Sequence, residues 1–229
     1  MHVHLPKPLH GWRAFLGEVG IIVVGVLIAL AAEQVVEQVH WREQTRATRE
    51  SLYSEAADNL AAALWRQQQQ PCVDQRLDEI ASIFATHAAG QPIHLRGPIG
   101  HPVYMSGPQT GWQIAVSSQA LTHMKLADKL RLASAFDNYA NLTSVLKLEQ
   151  DAWLKLGMLD RPQLLTDGDW PILHQAYAEA ASLNGRLQII TGYVLTTQNL
   201  GQSSKVKVTY NARAFGQRDA FCRPVLAAR

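Results

Sequence analysis

The stretch VGIIVVGVLIALAA, residues Val19–Ala32, contains no polar side chain and decides the fold of this chain. As an α-helix these fourteen residues cover about 21 Å, which is short of a bilayer hydrocarbon core of about 30 Å. Extension to Phe15 and Val36 gives twenty-two residues and roughly 33 Å, which is enough to cross. We therefore expect a transmembrane helix over residues 15–36.

Tryptophan residues bracket this segment. Trp12 and Trp41 are twenty-nine positions apart, about 43 Å of helix, which is close to the headgroup-to-headgroup thickness of a bilayer. Because tryptophan favours that level, we expect both residues to be interfacial anchors. Glu18 and Glu33 fall near the two ends, where a carboxylate reaches headgroup water.

Two other interpretations of the apolar run stay open. A cleaved signal peptide would use Lys7 and Arg13 as its basic region and residues 29–31 as its small-residue cleavage site. The run is long for that role and helical sequence follows it, so we favour an uncleaved anchor. A buried core helix is disfavoured because the run is apolar on every face.

One side of the anchor carries small residues. Gly25, Ala29 and Ala32 fall at i, i+4 and i+7, and Ile22 and Glu18 continue the same stripe. Small residues let helices approach closely in lipid, so the stripe predicts contact with another helix, in a homodimer or a protein partner. Alternatively, these small residues are ordinary for a membrane span and the carboxylate only reaches the interface.

Orientation follows from length more than from charge. Residues 1–14 form a short basic tail without an acid, but arginines also follow the anchor, so a positive-inside count does not decide. Long domains cross largely regardless of charge, and a short basic tail usually stays inside. We expect a single-pass protein of the bacterial inner membrane, in contact with membrane lipid, with a cytoplasmic N-terminus and residues 37–229 in the periplasm.

The two cysteines, Cys72 and Cys222, both lie beyond the anchor. An even number in an oxidising compartment predicts one disulfide, whose role would be structural because no redox motif surrounds either residue. Two unrelated buried thiols are the alternative.

Composition indicates a folded domain, with 47% hydrophobic and 17% charged residues. The net charge is only +2, which gives no argument for a nucleic-acid partner.

The remaining chain predicts an all-α fold. Residues 33–70 contain neither Pro nor Gly, so the anchor is expected to continue as one helix until Pro71 stops it. Residues 88–109 contain four Gly and four Pro and are expected to form a long loop. A second helix lies between these points, with apolar residues at helical spacing, namely Val73, Leu77, Ile80 and Phe84.

Three more helices complete a predicted bundle of about five. Thr110–Gln113 has the form of a capping box and opens a third helix to about Met124. A fourth is expected over residues 126–159, and Asp169 caps a fifth. The fifth carries a bundle seam with spacings of three and four, formed by Leu173, Ala176, Ala180, Leu183, Leu187, Ile190 and Val194.

The C-terminal part of the chain is not predicted to join the helical bundle. Residues 205–210, KVKVTY, alternate in polarity, and residues 203–229 as a whole are expected to be irregular. This segment holds six Lys or Arg and one acid, so it either touches anionic lipid or an acidic partner or is simply solvated.

Two regions of the chain resemble a known family. The anchor sequence GEVGIIVVGVLIAL, followed much later by Trp112, Ser117, Ser118, Leu121, Leu130 and Tyr139, is similar to uncharacterised bacterial proteins. These are short, single-span and N-terminally anchored, with a helical domain outside. The resemblance implies topology and fold and carries no activity.

No motif predicts catalysis, a cofactor or a metal. His87, His94 and His101 recur every seven residues within or beside the Gly/Pro-rich loop, and no zinc pattern completes them. Ser117 and Ser118 lack a nucleophile elbow. We therefore expect a non-catalytic interaction or accessory subunit acting through its helical domain and anchor. A periplasmic ligand-binding sensor that signals through a membrane partner is the alternative, and a membrane-bound hydrolase is the weakest.

Overall fold

The structure, a computed structural model, describes residues 11–201 and 212–226; the KVKVTY segment lies outside this part. The protein is all-α, as predicted, and no strand occurs among the described residues. Three short 3-10 helices, Gln119–His123, Gly157–Asp160 and Pro162–Leu164, supplement the α-helices. The α-helices are α1 (Gly11–Gln68), α2 (Gln70–Ala88), α3 (Thr110–Ser117), α4 (Leu126–Leu156), α5 (Asp169–Thr196) and α6 (Ala212–Phe221).

The chain forms two compact units, Met1–Thr48 and Arg49–Arg229. In the first, the apolar side chains of α1 are exposed on all sides; Ile21 and Ile22, for example, are 76% and 65% exposed. In length and composition, α1 is able to cross a membrane, and it is the one such helix within the described ranges.

The second unit has two hydrophobic cores along the antiparallel pair α4 and α5. One core joins α2 to the C-terminal half of α4 and the N-terminal half of α5, around Trp153 and Leu173. The other joins residues 52–63 of α1 to the opposite halves, around Phe136 and Leu187. The predicted apolar positions of the second helix, Val73, Leu77, Ile80 and Phe84, are all buried in the first core.

The seam of α5 differs from the predicted one at two positions. Asn184 and Thr191 are buried in the bundle, whereas Leu183 and Ile190 lie beside them and are only partly buried. The spacing of three and four is kept, but polar side chains occupy two of its core positions. A prediction from hydrophobicity alone therefore places each of these two seam positions one residue too early.

The predicted capping residues act differently from the expectation. Thr110 does not cap α3; instead the Glu55 carboxylate of α1 accepts hydrogen bonds from the backbone N–H groups of Gly111 (2.7 Å) and Trp112 (3.4 Å). Asp169 accepts two hydrogen bonds from Thr166, which lower the pKa of its carboxyl and brace the turn before α5. Both helix starts depend on contacts that the local sequence does not specify.

The predicted irregular C-terminal segment contains helix α6. Aromatic contacts hold it: the ring of Phe215 meets Trp65 of α1 edge-on at 5.2 Å, and Phe221 meets Trp153 of α4 edge-on at 5.6 Å. Arg218 also lies over the Trp65 ring at 5.3 Å. These contacts place the last turns of the chain against the long loop between α2 and α3.

Candidate ligand-binding pocket

A buried arginine of α2 joins two segments that are distant in sequence. Arg76 is 1% exposed, and one of its terminal nitrogens donates hydrogen bonds to the carbonyls of Pro98 (3.1 Å) and Ile99 in the long loop. The other donates to the carbonyls of Phe221 (2.7 Å) and Arg223 (2.6 Å) at the end of α6. One guanidinium therefore fixes the backbone of both segments.

We call the contacts of Arg76 with residues 98–99, Phe221 and Arg223 the clamp. Two carboxylates complete it. Glu79 accepts a hydrogen bond from Arg76 Nε (2.9 Å) and another from the backbone N–H of Val225 (2.9 Å). Asp160 accepts from the backbone N–H of Ile99 at 2.6 Å. Burial lowers the pKa of the Arg76 guanidinium, and the negative charge of Glu79 opposes that shift.

The same region contains the two cysteines. The Sγ atoms of Cys72, in the first turn of α2, and Cys222, directly after α6, lie 2.00 Å apart, the distance of a disulfide bond. Further along, the backbone N–H of Arg96 donates to the carbonyl of Val225 at 2.9 Å. A covalent link and backbone pairing thus reinforce the attachment made by Arg76.

A second set of hydrogen bonds holds the long loop at the C-terminal end of α1. The side-chain amide of Gln69 donates to the Val103 carbonyl (3.0 Å) and accepts from its N–H (2.8 Å), and the Trp65 indole donates to the same carbonyl (2.8 Å). Gln69 is fully buried and satisfies both backbone groups of the loop residue. The loop is therefore fixed at 98–99 and at 103.

Between these fixed points and α6 lies a cavity of about 590 Å³. This volume falls within the range of pockets that take small organic ligands, about 300–1,000 Å³. The described walls combine cationic, neutral polar and apolar side chains, with no carboxylate side chain among them. The lining consists of residues 96–98, 100–101, 103–104, Gln150, Gln217, Ala220, Phe221 and 223–225.

A buried polar network links four helices of the same unit. Arg66 of α1 donates two hydrogen bonds to the Glu149 carboxylate, at 2.7 and 3.1 Å, and a third to Asn184 of α5 at 2.8 Å. Gln70 and Asp74 of α2 extend the network to the same asparagine side chain. Arg66 and Glu149 are 2% and 0% exposed, so these two side chains must be satisfied internally.

Tyr104 connects this network to the cavity. Its ring lines the cavity and stacks with His101 at 5.9 Å, while its hydroxyl is buried and makes no hydrogen bond of ordinary geometry to the residues described. Burial raises the pKa of Tyr104 well above its usual value, and the negative charge of Glu149 adds to the increase. The phenol is therefore neutral at physiological pH and serves as an aromatic wall.

The other residues singled out in the sequence lie elsewhere. Trp12 is 73% exposed on α1, and the Trp41 indole donates a hydrogen bond to Glu37 one turn away. The small-residue stripe of α1 lies in the first unit. Apart from the neighbouring backbone of α1 itself, no atom lies within 4 Å of a Cβ built on Gly25. The stripe residues, all exposed, are Glu18, Ile22, Gly25, Ala29 and Ala32.

The histidines spaced by seven do not converge. His87 stacks on Trp170 at 3.5 Å between centroids, and His101 lies at the cavity beside Tyr104. Within residues 11–201 and 212–226 no group of three or more His, Cys, Asp or Glu is placed to hold a metal ion.

Sequence reasoning did not single out the arginines of the pocket. A signal existed for Arg76, since it falls on the apolar face of α2 between Val73 and Ile80. For Arg96 and Arg223 there was none, because they lie in irregular segments whose proximity depends on the clamp.

Comparison of the chain with known protein families, with curated proteins and with solved structures finds no match.

Proposed function

We propose that this chain is a membrane-anchored, non-catalytic binding protein whose helical domain takes up a small organic ligand and acts on a membrane partner. The observation that carries the proposal is the pocket of about 590 Å³ whose two irregular walls are held by the buried Arg76. The guanidinium of Arg76 and the Cys72–Cys222 pair together hold two non-helical segments at the edge of this cavity.

The composition of the walls supports binding over catalysis. Among the residues that the structure describes, the lining contains no Ser, Cys, Asp or Glu side chain and so offers neither an activated nucleophile nor a carboxylate base. His101 contributes an imidazole to this described lining. A single imidazole at an open cavity is a weak basis for an enzyme.

The proposed location is the bacterial inner membrane, with the N-terminus in the cytoplasm and the domain in the periplasm. A disulfide between Cys72 and Cys222 would form in an oxidising compartment, which agrees with a periplasmic domain. Alkaline phosphatase fused after Arg229 is expected to be active. An inactive but well-expressed fusion would reverse the orientation.

Purification of the full chain in a mild detergent, followed by mass spectrometry, tests the binding function. We expect a small molecule to co-purify and to be lost when Ala220→Trp fills the cavity. Ala212→Trp, which adds the same side chain to an exposed position of α6 outside the cavity, is expected to keep it. Equal small-molecule content in all three proteins would rule out the pocket as the binding site.

An interaction subunit is the second candidate, favoured by the exposed stripe on α1. The small residues Gly25, Ala29 and Ala32 lie on one stripe, which suits the close approach of a transmembrane helix from a second copy of this chain. In a transmembrane reporter assay, Gly25→Leu is expected to reduce association, whereas Gly20→Leu, about 140° away around the helix, is expected to leave it unchanged. Equal signals from wild type and both variants would remove this candidate.

A further inference from the structure

The described lining of the cavity carries two cationic side chains. Arg96 and Arg223 line it from different segments, and both side chains are exposed. Neither guanidinium forms an ion pair with any residue that the structure describes, whereas nearby Arg218 is paired with Asp219 at 2.8 Å. Two cations without a carboxylate among the lining residues that the structure describes favour a negatively charged ligand.

The backbone of each arginine is fixed even though its side chain is exposed. The Arg96 N–H donates to Val225, and the Arg223 carbonyl accepts from Arg76 at 2.6 Å. The clamp therefore fixes the backbone from which two arginine side chains extend at one cavity, and the described contacts leave their guanidinium donors unused. Arginine presents its donors in a planar fork that matches a carboxylate or a phosphate.

The remaining walls are apolar or neutral. Phe221 and Val225 are 4% and 3% exposed, and Val103 and two prolines add further apolar surface. Gln150 and Gln217 contribute amide groups, which hydrogen-bond without charge. Such walls suit an apolar body attached to the anionic group, and a small inorganic anion would leave them in contact with water.

We propose that this cavity binds an organic anion, a carboxylate or phosphate monoester on an apolar body, with Arg96 and Arg223 at the anionic group. The inference rests on the proposed binding function and assigns its ligand class.

Titration calorimetry of the full chain in phosphatidylcholine nanodiscs tests the ligand class, with empty nanodiscs to correct for partition into lipid. The probes are octanoate, octyl phosphate, octylamine, octanol and inorganic phosphate. We expect the two octyl anions to bind at least tenfold more tightly than octylamine, octanol or inorganic phosphate. We also expect their affinity to fall with added salt.

Variants separate the charge from the cavity. Arg96→Gln and Arg223→Gln are each expected to weaken octanoate binding about tenfold or more, because a hydrogen bond to a charged group is lost. Arg213→Gln removes the same charge from α6 outside the cavity and is expected to change affinity less than twofold.

The outcomes are distinguishable from those of the binding function itself. Equal affinities for octanoate and octanol, or variants of Arg96 and Arg223 that bind like wild type, would overturn the anion inference. Equal binding of inorganic phosphate and octyl phosphate would overturn the apolar body. In each case the co-purification comparison with Ala220→Trp still decides whether the cavity binds a ligand.

Discussion

At the scale of single residues, the stability of the domain depends on polar side chains in its interior. Arg66 and Glu149 form a bidentate pair with both side chains almost fully excluded from solvent. Removing one partner of such a pair leaves the other charge buried and uncompensated, which costs more than the pair contributes when intact.

We expect Glu149→Gln to lower the free energy of unfolding by about 3–5 kcal/mol for this reason. Denaturant titration of the full chain in mild detergent, followed by tryptophan fluorescence, measures the change. Glu179→Gln is the matched control, since it breaks the solvent-exposed pair of Glu179 with Lys155 (3.1 Å) and is expected to have little effect. Similar losses in both variants would contradict the assigned role of burial.

A second residue-scale prediction concerns the close approach of the loop to α1. A Cβ built on Gly107 would lie 2.6 Å from the Asn59 backbone Cα, and Asn59 holds the loop through the Pro108 carbonyl at 2.7 Å. Because the clash involves backbone, Gly107→Ala is expected to destabilise the domain by about 1–3 kcal/mol. Gly185→Ala, in open space on α5, is expected to stabilise it by about 0.5–1 kcal/mol. The same denaturant titration compares them, and stabilisation by both would exclude the clash.

These interior residues could not be predicted from the sequence. Residues 67–70 are four consecutive glutamines, yet Gln69 is fully buried because its amide pairs with both backbone groups of Val103. Similarly, Asn184 occupies a seam position because Arg66 lies opposite. Each polar residue is explained by a partner tens of residues away, and such pairs leave no periodic signal.

At the scale of elements, local patterns predicted the long helices and failed for α6. The apolar spacing of α2, α4 and α5 is regular enough to be recognised, because each buries one stripe against the bundle. Residues Ala212–Phe221 contain Gly216 and, apart from alanine, only two apolar residues, and the helix is held by Trp65, Trp153 and Arg76. Its position, and with it the pocket, depends on tertiary contacts.

The clamp on α6 gives an element-scale prediction. Arg76→Lys keeps the charge, but an ammonium group cannot reach four carbonyls and Glu79 together. We expect faster amide hydrogen exchange in α6 and residues 96–101, with unchanged protection in the centres of α4 and α5.

Arg186→Lys serves as the control for that comparison. Arg186 is exposed and makes one long hydrogen bond, to Asn141 at 3.3 Å, so its exchange pattern is expected to match wild type. If Arg76→Lys also matched wild type, the clamp would not be what holds the pocket walls.

At the scale of the whole molecule, the C-terminus closes a large loop. Cys72 and Cys222 are separated by 150 positions, and their juxtaposition fastens the last described segment to the start of α2. The sequence predicted this pair from cysteine number alone, whereas its position beside the pocket depends on the fold. The covalent link, the Arg76 clamp and the pocket therefore belong to one assembly.

The last prediction follows from that closure. In the chain-entropy model, linking residues 150 positions apart stabilises the fold by about 5 kcal/mol, an upper figure. Cys72→Ser combined with Cys222→Ser is expected to lower the free energy of unfolding by about 2–5 kcal/mol. It is also expected to speed hydrogen exchange in α6 before α4 and α5 are affected, because the exposed part of the clamp opens first. Intact mass before and after alkylation, on protein taken from its native membrane without reductant, checks the link itself. Two thiols that alkylate readily would contradict the disulfide and, with it, the proposed periplasmic location of the domain.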